Sequence, residues 1–325
     1  MTAPEPRENP LLLGHEGAEA LMAGAAHAGR LHHAWLMTGA PGIGKATLAY
    51  RFARWLLAGA PAGESLHLPA EHPVFRRVAA AAHADLLTLA PNTGEGKRVM
   101  IRVEDVRGLK GFMSLTPAEG GWRVVVLDQP ETMDAAGQNA LLKTLEEPPP
   151  RAMLLLACAA PGRLLPTIMS RVRRLELSPL APATMDSLLG GFLPDMPAEE
   201  RAELIGLAGG SPGRALQLAA GEGLEMARLA REALEGVPPR RAAEIAERVA
   251  ARDVGPMNTF FTLLRALLAG GTRAAGQGAC PPWAARRSPG EWAELWSRLG
   301  AHAAAADRLA LERKQAVMQA LDWLR

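Results

Sequence analysis

Trp35-Leu36-Met37-Thr38-Gly39-Ala40-Pro41-Gly42-Ile43-Gly44-Lys45-Ala46-Thr47 joins a short apolar run to a glycine-rich turn. The run reads as a buried parallel strand. Just past the turn, Leu48, Ala49, Phe52, Ala53, Leu56 and Leu57 recur at helical spacing. Strand, glycine loop and helix in that order form a phosphate-binding loop, because the loop N–H groups and the helix N-terminus converge on one anion. Gly39, Gly42 and Gly44 let the backbone curl around a phosphate, and Lys45 reaches a β- or γ-phosphate oxygen. The full pattern continues with a Ser or Thr whose hydroxyl holds magnesium, and Ala46 stands in that place. Thr47 is one residue further, rotated by about 100° around the helix, and is poorly placed to substitute. The stretch is expected to hold a nucleotide and to hydrolyse it badly.

Outward from the loop, Trp122-Arg123-Val124-Val125-Val126-Leu127-Asp128 is the second informative segment. A largely β-branched run ending in a carboxylate predicts a buried parallel strand with Asp128 at its carboxyl end, where such sheets bind ligands. Beside a phosphate loop, Asp128 takes the position that faces the nucleotide's magnesium side. The active version of this motif continues with a water-polarising Glu. Here Gln129 follows, and Glu131 lies two positions beyond it.

The remaining pattern up to Ser178 alternates strand and helix. Helices are predicted over Gly17–Ala28, Val103–Leu115 and a segment capped by Asp134 and ended by Pro148-Pro149-Pro150. Strands are predicted at Leu86–Leu89, Met153–Ala157 and Leu175–Leu177, with a polar loop over Pro91–Lys97. The Glu146-Glu147 pair reads as a solvated helix edge. Together these predict a doubly wound α/β domain over residues 1–178. After Pro179 the strand signals vanish, and Ala-, Leu-, Glu- and Arg-rich helices fill the chain. They are broken by the turn Gly209–Gly213 and by a flexible stretch expected over Gly270–Pro282. An amphipathic helix is expected over Leu309–Leu324. Trp283, Trp292, Trp296 and Trp323 fit either the core of this helical part or a subunit interface.

Composition bounds the function. A chain of 325 residues with 48% apolar and 22% charged residues has the profile of a soluble protein of two or three domains. A net charge of +2 gives no independent support to nucleic-acid binding. Cys158 and Cys280 are too few for a disulfide framework or a cysteine zinc site, which fits a reducing cytoplasm. His67, His72 and His83 lack metal-ligand spacing, so no metal site is expected. Met1–Pro10 carries no apolar signal region, and no run approaches the ~20 apolar residues of a membrane span.

Taken together, these motifs resemble a family. His33-Ala34-Trp35-Leu36, Gly39–Lys45, Val124–Asp128, Asn139-Ala140-Leu141-Leu142-Lys143-Thr144-Leu145-Glu146-Glu147-Pro148-Pro149 and Leu165-Pro166-Thr167-Ile168-Met169-Ser170-Arg171 are similar to the delta-prime subunits of bacterial DNA polymerase III clamp loaders. The resemblance runs from Leu11 through Gly209–Arg214 to Leu311–Gln315. It implies three parts: an AAA+ P-loop parallel-sheet module over residues 1–178, a small helical lid over 179–228, and an all-α collar over 229–325 that joins subunits. It implies a stator in a component of a nucleotidyltransferase, the DNA-directed DNA polymerase III holoenzyme. Its implied partners are the gamma/tau motor subunits and delta, with the sliding clamp and primer–template DNA reached through the assembled complex.

The family presents an arginine in trans from a Ser-Arg-Cys motif. Ser170-Arg171-Val172 keeps all but the cysteine, so the finger role falls on Arg171, for which a structural ion pair is the alternative. Arg214 matches the position at the start of a lid helix that touches nucleotide in the same chain. The polar sensor after the third long strand is replaced by Cys158-Ala159, and the family's four-cysteine zinc module has no counterpart after the P-loop helix. The resemblance therefore implies a weak ATP or ADP site and no zinc. The rival reading is a self-sufficient AAA+ ATPase of the motor or helicase-loader type. Ala46, Gln129 and Cys158-Ala159 argue against it, because a motor needs metal ligand, water-polarising acid and polar sensor together. A P-loop kinase of small molecules lacks an acceptor site in the helical half.

Overall fold

The apolar runs form one parallel sheet. The computed structural model describes residues 4–91, 100–250, 254–308 and 311–325. The strands are β1 (Ala34–Thr38), β2 (Leu86–Leu89), β3 (Arg123–Asp128), β4 (Ala152–Cys158) and β5 (Arg173–Glu176), in the spatial order β2-β3-β4-β1-β5. Register places Thr38 beside Cys158 and Asp128 beside Ala157. The ends of the three central strands therefore line up along one edge. The loop after β1 and the acid after β3 open onto that same edge.

Both faces of the central strands β1, β3 and β4 are covered, which is why these read as unbroken apolar runs, whereas the edge strand β5 is mostly exposed. Trp35, Met37, Val124, Val126, Met153 and Leu155 point to one face and pack with α1 (Glu16–His27), α2 (Lys45–Leu57) and α3 (Pro73–Ala79). Their neighbours Leu36, Val125, Leu127, Leu154 and Leu156 point the other way, against α4 (Val103–Ser114), α5 (Ala135–Glu146) and the one-turn α6 (Pro166–Met169). Asp134 caps α5 by accepting from the Gly137 N–H at 2.8 Å. The residues expected in a polar loop after Pro91 lie outside the described residues. The three histidines have local partners or none of note: His72 caps α3 through Val74 N–H, His83 accepts from Asp85 N–H, and His67 is exposed.

The chain groups into two units by its internal contacts. The α/β unit holds residues 2–192, ending with α7 (Pro182–Phe192), plus residues 210–214. The helical unit holds residues 193–209 and 215–325. Its elements are α8 (Ala198–Ala208), most of α9 (Pro212–Ala220), α10 (Gly223–Glu235), α11 (Pro239–Ala250), α12 (Val254–Gly276), α13 (Pro289–Arg308) and α14 (Arg313–Leu324).

Two expectations for the helical half need correction. Residues 270–276 do not form a flexible break but continue α12 to Gly276. Gly271 is there for packing, because a Cβ at that position would collide with the Trp283 ring. The last helix begins at Arg313, capped by Glu312, rather than at Leu309; Leu309 and Ala310 lie outside the described residues. Trp283 and Trp292 are core residues, packed edge to face at 5.2 Å, and the Trp292 indole donates to the Ala284 carbonyl at 2.9 Å. Trp296 is 39% exposed beneath the Arg265 guanidinium, and Trp323 is half-buried beneath Arg298. Among the described residues, no helix is long and apolar enough to cross a membrane.

Buried charge ties the N-terminal segment to the α/β unit. Arg51 pairs with Glu19 while donating to the Pro10 carbonyl, and both side chains are more than nine-tenths buried. Arg54, lying over the Phe75 ring, donates to the Arg7 and Asn9 carbonyls. Burial pushes the Arg54 guanidinium down to about 10, because no carboxylate offsets its lost hydration. Glu19→Ala would leave Arg51 buried without its counter-charge and is expected to cost about 3 kcal/mol of stability. Urea denaturation measures it, and a loss below about 1 kcal/mol would place the pair in solvent instead.

Candidate phosphate-loop site

The loop after β1 needs backbone conformations that L side chains resist. Gly39, Gly42 and Gly44 sit at φ 141°, 75° and 112°. A Cβ on Gly39 would meet the Leu177 carbonyl at 2.7 Å, so space as well as torsion demands glycine there. Gly44 caps α2, and Lys45, its first residue, turns its ammonium back under the loop. Lys45 Nζ donates to the Gly39 carbonyl at 2.9 Å and to the Ala40 carbonyl at 2.8 Å. Ala46 offers no oxygen to a metal, and Thr47 is half-buried in the same helical turn.

Two carboxylates, Asp128 at the end of β3 and Glu131 in the turn that follows, act on this ammonium. Burial lowers the Lys45 pKa, while Glu131 and then Asp128 oppose that shift by their charge. Burial raises Asp128, opposed first by Lys45. Gln129 adopts φ 55°, a left-handed conformation unusual for its type, and its N–H donates to the Ala157 carbonyl at 2.9 Å. That sharp turn sends Glu131 back across the sheet edge. Its Oε1 accepts from Ala159 N–H at 2.7 Å and Ala160 N–H at 3.2 Å. Glu131 thus occupies the end of β4, beside Cys158-Ala159. Burial, followed by the Glu131 neighbour, pushes the Cys158 thiol up to about 12, so it stays protonated.

The segment before and within the first turn of α9 closes over the loop. Ser211 Oγ donates to the Pro41 carbonyl and Gly213 N–H to the Gly42 carbonyl, both at 2.8 Å. The two glycines touch: a Cβ on Gly213 would lie 2.8 Å from the Gly42 Cα. Arg214 follows directly. Burial lowers its pKa, and its Nη2 is a buried donor with no hydrogen-bond partner. A half-buried guanidinium whose Nη2 is buried and idle beside a glycine cradle suits a phosphate oxygen. Ser211 carried no weight in the sequence reading, although a Gly-Gly-Ser-Pro-Gly turn ahead of a helix is the signal that marks it.

Arg171 belongs to a different place on this unit. Its Nη1 donates to the Thr167 carbonyl at 2.9 Å and to Ser170 Oγ at 3.3 Å, and its Nη2 meets Glu146 Oε1 at 2.9 Å. None of these partners is part of the phosphate loop. The side chain is 36% exposed. Glu146 is exposed, as expected of a solvated helix edge, and is in addition an ion-pair partner.

This sheet order, with the phosphate loop after β1 and the acid after β3, defines a P-loop α/β module of the AAA+ type. Residues 14–181 match the family described as DNA polymerase III, delta subunit, and the chain belongs to that family. It is 41% identical over 215 residues to DNA polymerase III subunit delta' of Pseudomonas aeruginosa, covering 66% of this chain and 63% of that protein. Against subunit delta' of Escherichia coli K12 the identity is 36% over 198 residues, 60% of this chain and 57% of that one. Subunit gamma/tau of Mycobacterium tuberculosis H37Rv is 33% identical over 179 residues, 55% of this chain and 30% of that one. The chain thus spans less than two thirds of the length of these curated relatives. A solved DNA polymerase III gamma subunit-related protein of Thermotoga maritima aligns over 96% of this chain and 98% of that chain, at 18% identity and a TM-score of 0.43.

The raised Asp128 pKa has a stability consequence. The folded chain holds this proton more tightly than the unfolded chain does, so ionised Asp128 weighs against folding above the usual carboxylate range and stops doing so in acid. Asp128→Asn is therefore expected to raise the melting temperature at pH 7 and to leave it unchanged near pH 3. A fall at pH 7 would show that the Lys45 attraction outweighs burial.

Proposed function

We propose that this chain is a non-motor subunit of the DNA polymerase III clamp loader, a stator that presents Arg171 to the ATP site of a neighbouring motor subunit. Family membership supports the assembly. The observation that carries the division of labour is the contrast between two phosphate-directed features. Its own loop lacks a metal-binding hydroxyl at Ala46 and has Gln129 after Asp128, whereas Arg171 stands half-exposed outside that loop. A guanidinium supplied in trans stabilises charge on a transferring γ-phosphoryl group.

A nucleotide at the chain's own site would be held by Lys45, Arg214 and the amides of Gly39–Gly44, with Asp128 on the metal side. When bound it supplies phosphate charge that Lys45 and Arg214 neutralise. To accept it, Lys45 must release the Gly39 and Ala40 carbonyls, which favours weak ATP or ADP binding; no zinc is proposed, because the segment after α2 offers no cysteine. The helical region from residue 229 onward acts as the collar that joins gamma/tau and delta. Clamp and primer–template DNA are reached through that assembly, in the cytoplasm.

Purified protein is expected to show negligible ATP turnover, since loss of a magnesium ligand and of a water-orienting acid each removes several kcal/mol of transition-state stabilisation. Turnover near one per second, abolished by Lys45→Ala, would restore the rival reading of a self-sufficient ATPase.

Arg171→Ala should leave folding and assembly nearly intact, because exposed ion pairs contribute little. Clamp loading by the reconstituted complex should fall, with a partial loss of total ATPase because the other motor sites keep their own partners. Lys at this position should rescue poorly, lacking the planar fork. Unchanged loading by a fully assembled Arg171→Ala complex would refute the trans-acting role.

A further inference from the structure

Among the described residues of the α/β unit, Arg171 is a half-exposed arginine held by several acceptors. Its backbone N–H donates to the Ile168 carbonyl at 2.9 Å, and the Ile168 side chain is fully buried, so the Cα is anchored to the core. From that anchor the guanidinium meets three acceptors on two elements. Thr167 and Ser170 belong to the α6 turn, and both bond to Nη1. Glu146, at the last residue of α5, takes Nη2 at 2.9 Å. The local acceptors fix one corner of the fork, and only Glu146 fixes its far edge.

We infer that Glu146 is a positioning residue for Arg171: it sets the plane of the guanidinium so that the remaining N–H groups face outward toward a partner's phosphate. This rests on the trans-acting reading above. A long side chain free to rotate loses conformational entropy when it engages a ligand, and a side chain already held in one plane loses less. The ion pair is exposed on both sides, with 36% and 48% of the side chains accessible, so it is weak enough to be exchanged for, or shared with, a phosphate. Glu147 next door supplies an internal control. It is 81% exposed and faces Lys110 at 3.8 Å, not Arg171.

Two measurements test this. In the isolated full-length chain, NMR relaxation of the Arg171 Nε–H should show lower order in Glu146→Ala than in the parent or in Glu147→Ala. Glu146→Gln, which keeps an acceptor, should restore part of it. In the reconstituted loader, Glu146→Ala should reduce the turnover of the motor site that borrows Arg171 by about three- to fivefold, the upper part of the range of an exposed ion pair. KM for ATP and assembly should stay unchanged, and Glu147→Ala should be silent. Because Glu146 acts through Arg171, adding Glu146→Ala to Arg171→Ala should change nothing further. Unchanged Arg171 order, or additive losses in the double variant, would overturn the inference. A silent Glu146→Ala beside an impaired Arg171→Ala overturns it alone, whereas a silent Arg171→Ala removes the trans-acting reading and this inference with it.

Discussion

Taking the Lys45 ammonium out of water dictates most of what surrounds the sheet edge. An ammonium shielded from solvent needs oxygen acceptors and opposing charge. The acceptors are the carbonyls of Gly39 and Ala40, which point inward only because the glycines allow left-handed turns. The opposing charge comes from Glu131 and Asp128, brought to the same edge by the register of β3 and β4 with β1. The continuous apolar strands, buried on both faces, hold that register. The loop is thus a polar cluster at the rim of an apolar core, with its ammonium satisfied by its own carbonyls.

Residue by residue, legibility tracked how local the cause was. Strand β1, the glycine loop and α2 were readable because apolar periodicity and left-handed glycines are properties of adjacent residues. The same holds for the Asp134 cap and for β3 ending at Asp128. Glu131 was passed over because its place depends on the positive φ of Gln129, which no neighbour announces. Glu146 is solvated as its pattern suggests, but its pairing with Arg171 is not legible, because that partner lies across a strand and a short helix. Gly270 and Gly271 pointed to a loop by composition alone, yet Gly271 lets the Trp283 ring lie against a continuous helix. A glycine chosen for close packing and one chosen for torsional freedom look alike until the opposing surface is known.

The proposed site separates holding from reacting. In that reading Lys45, Arg214 and the loop amides would hold phosphate, while the positions that would handle metal and water carry Ala46 and Gln129. The loop geometry also has a structural role, since it anchors residues 211–214 through Pro41 and Gly42. Replacing those glycines would disturb the α/β unit whether or not a nucleotide ever binds.

The two thiols differ in a way that is useful at the bench. Cys158 is sealed within the sheet and held protonated by burial, whereas Cys280 is exposed beside Pro281 in the helical unit. Thiolate chemistry follows exposure and ionisation. A maleimide dye added to the native chain therefore marks one atom, on the helical unit, with no cysteine engineered or removed. Fluorescence from that single label can follow the helical unit while the α/β unit stays dark.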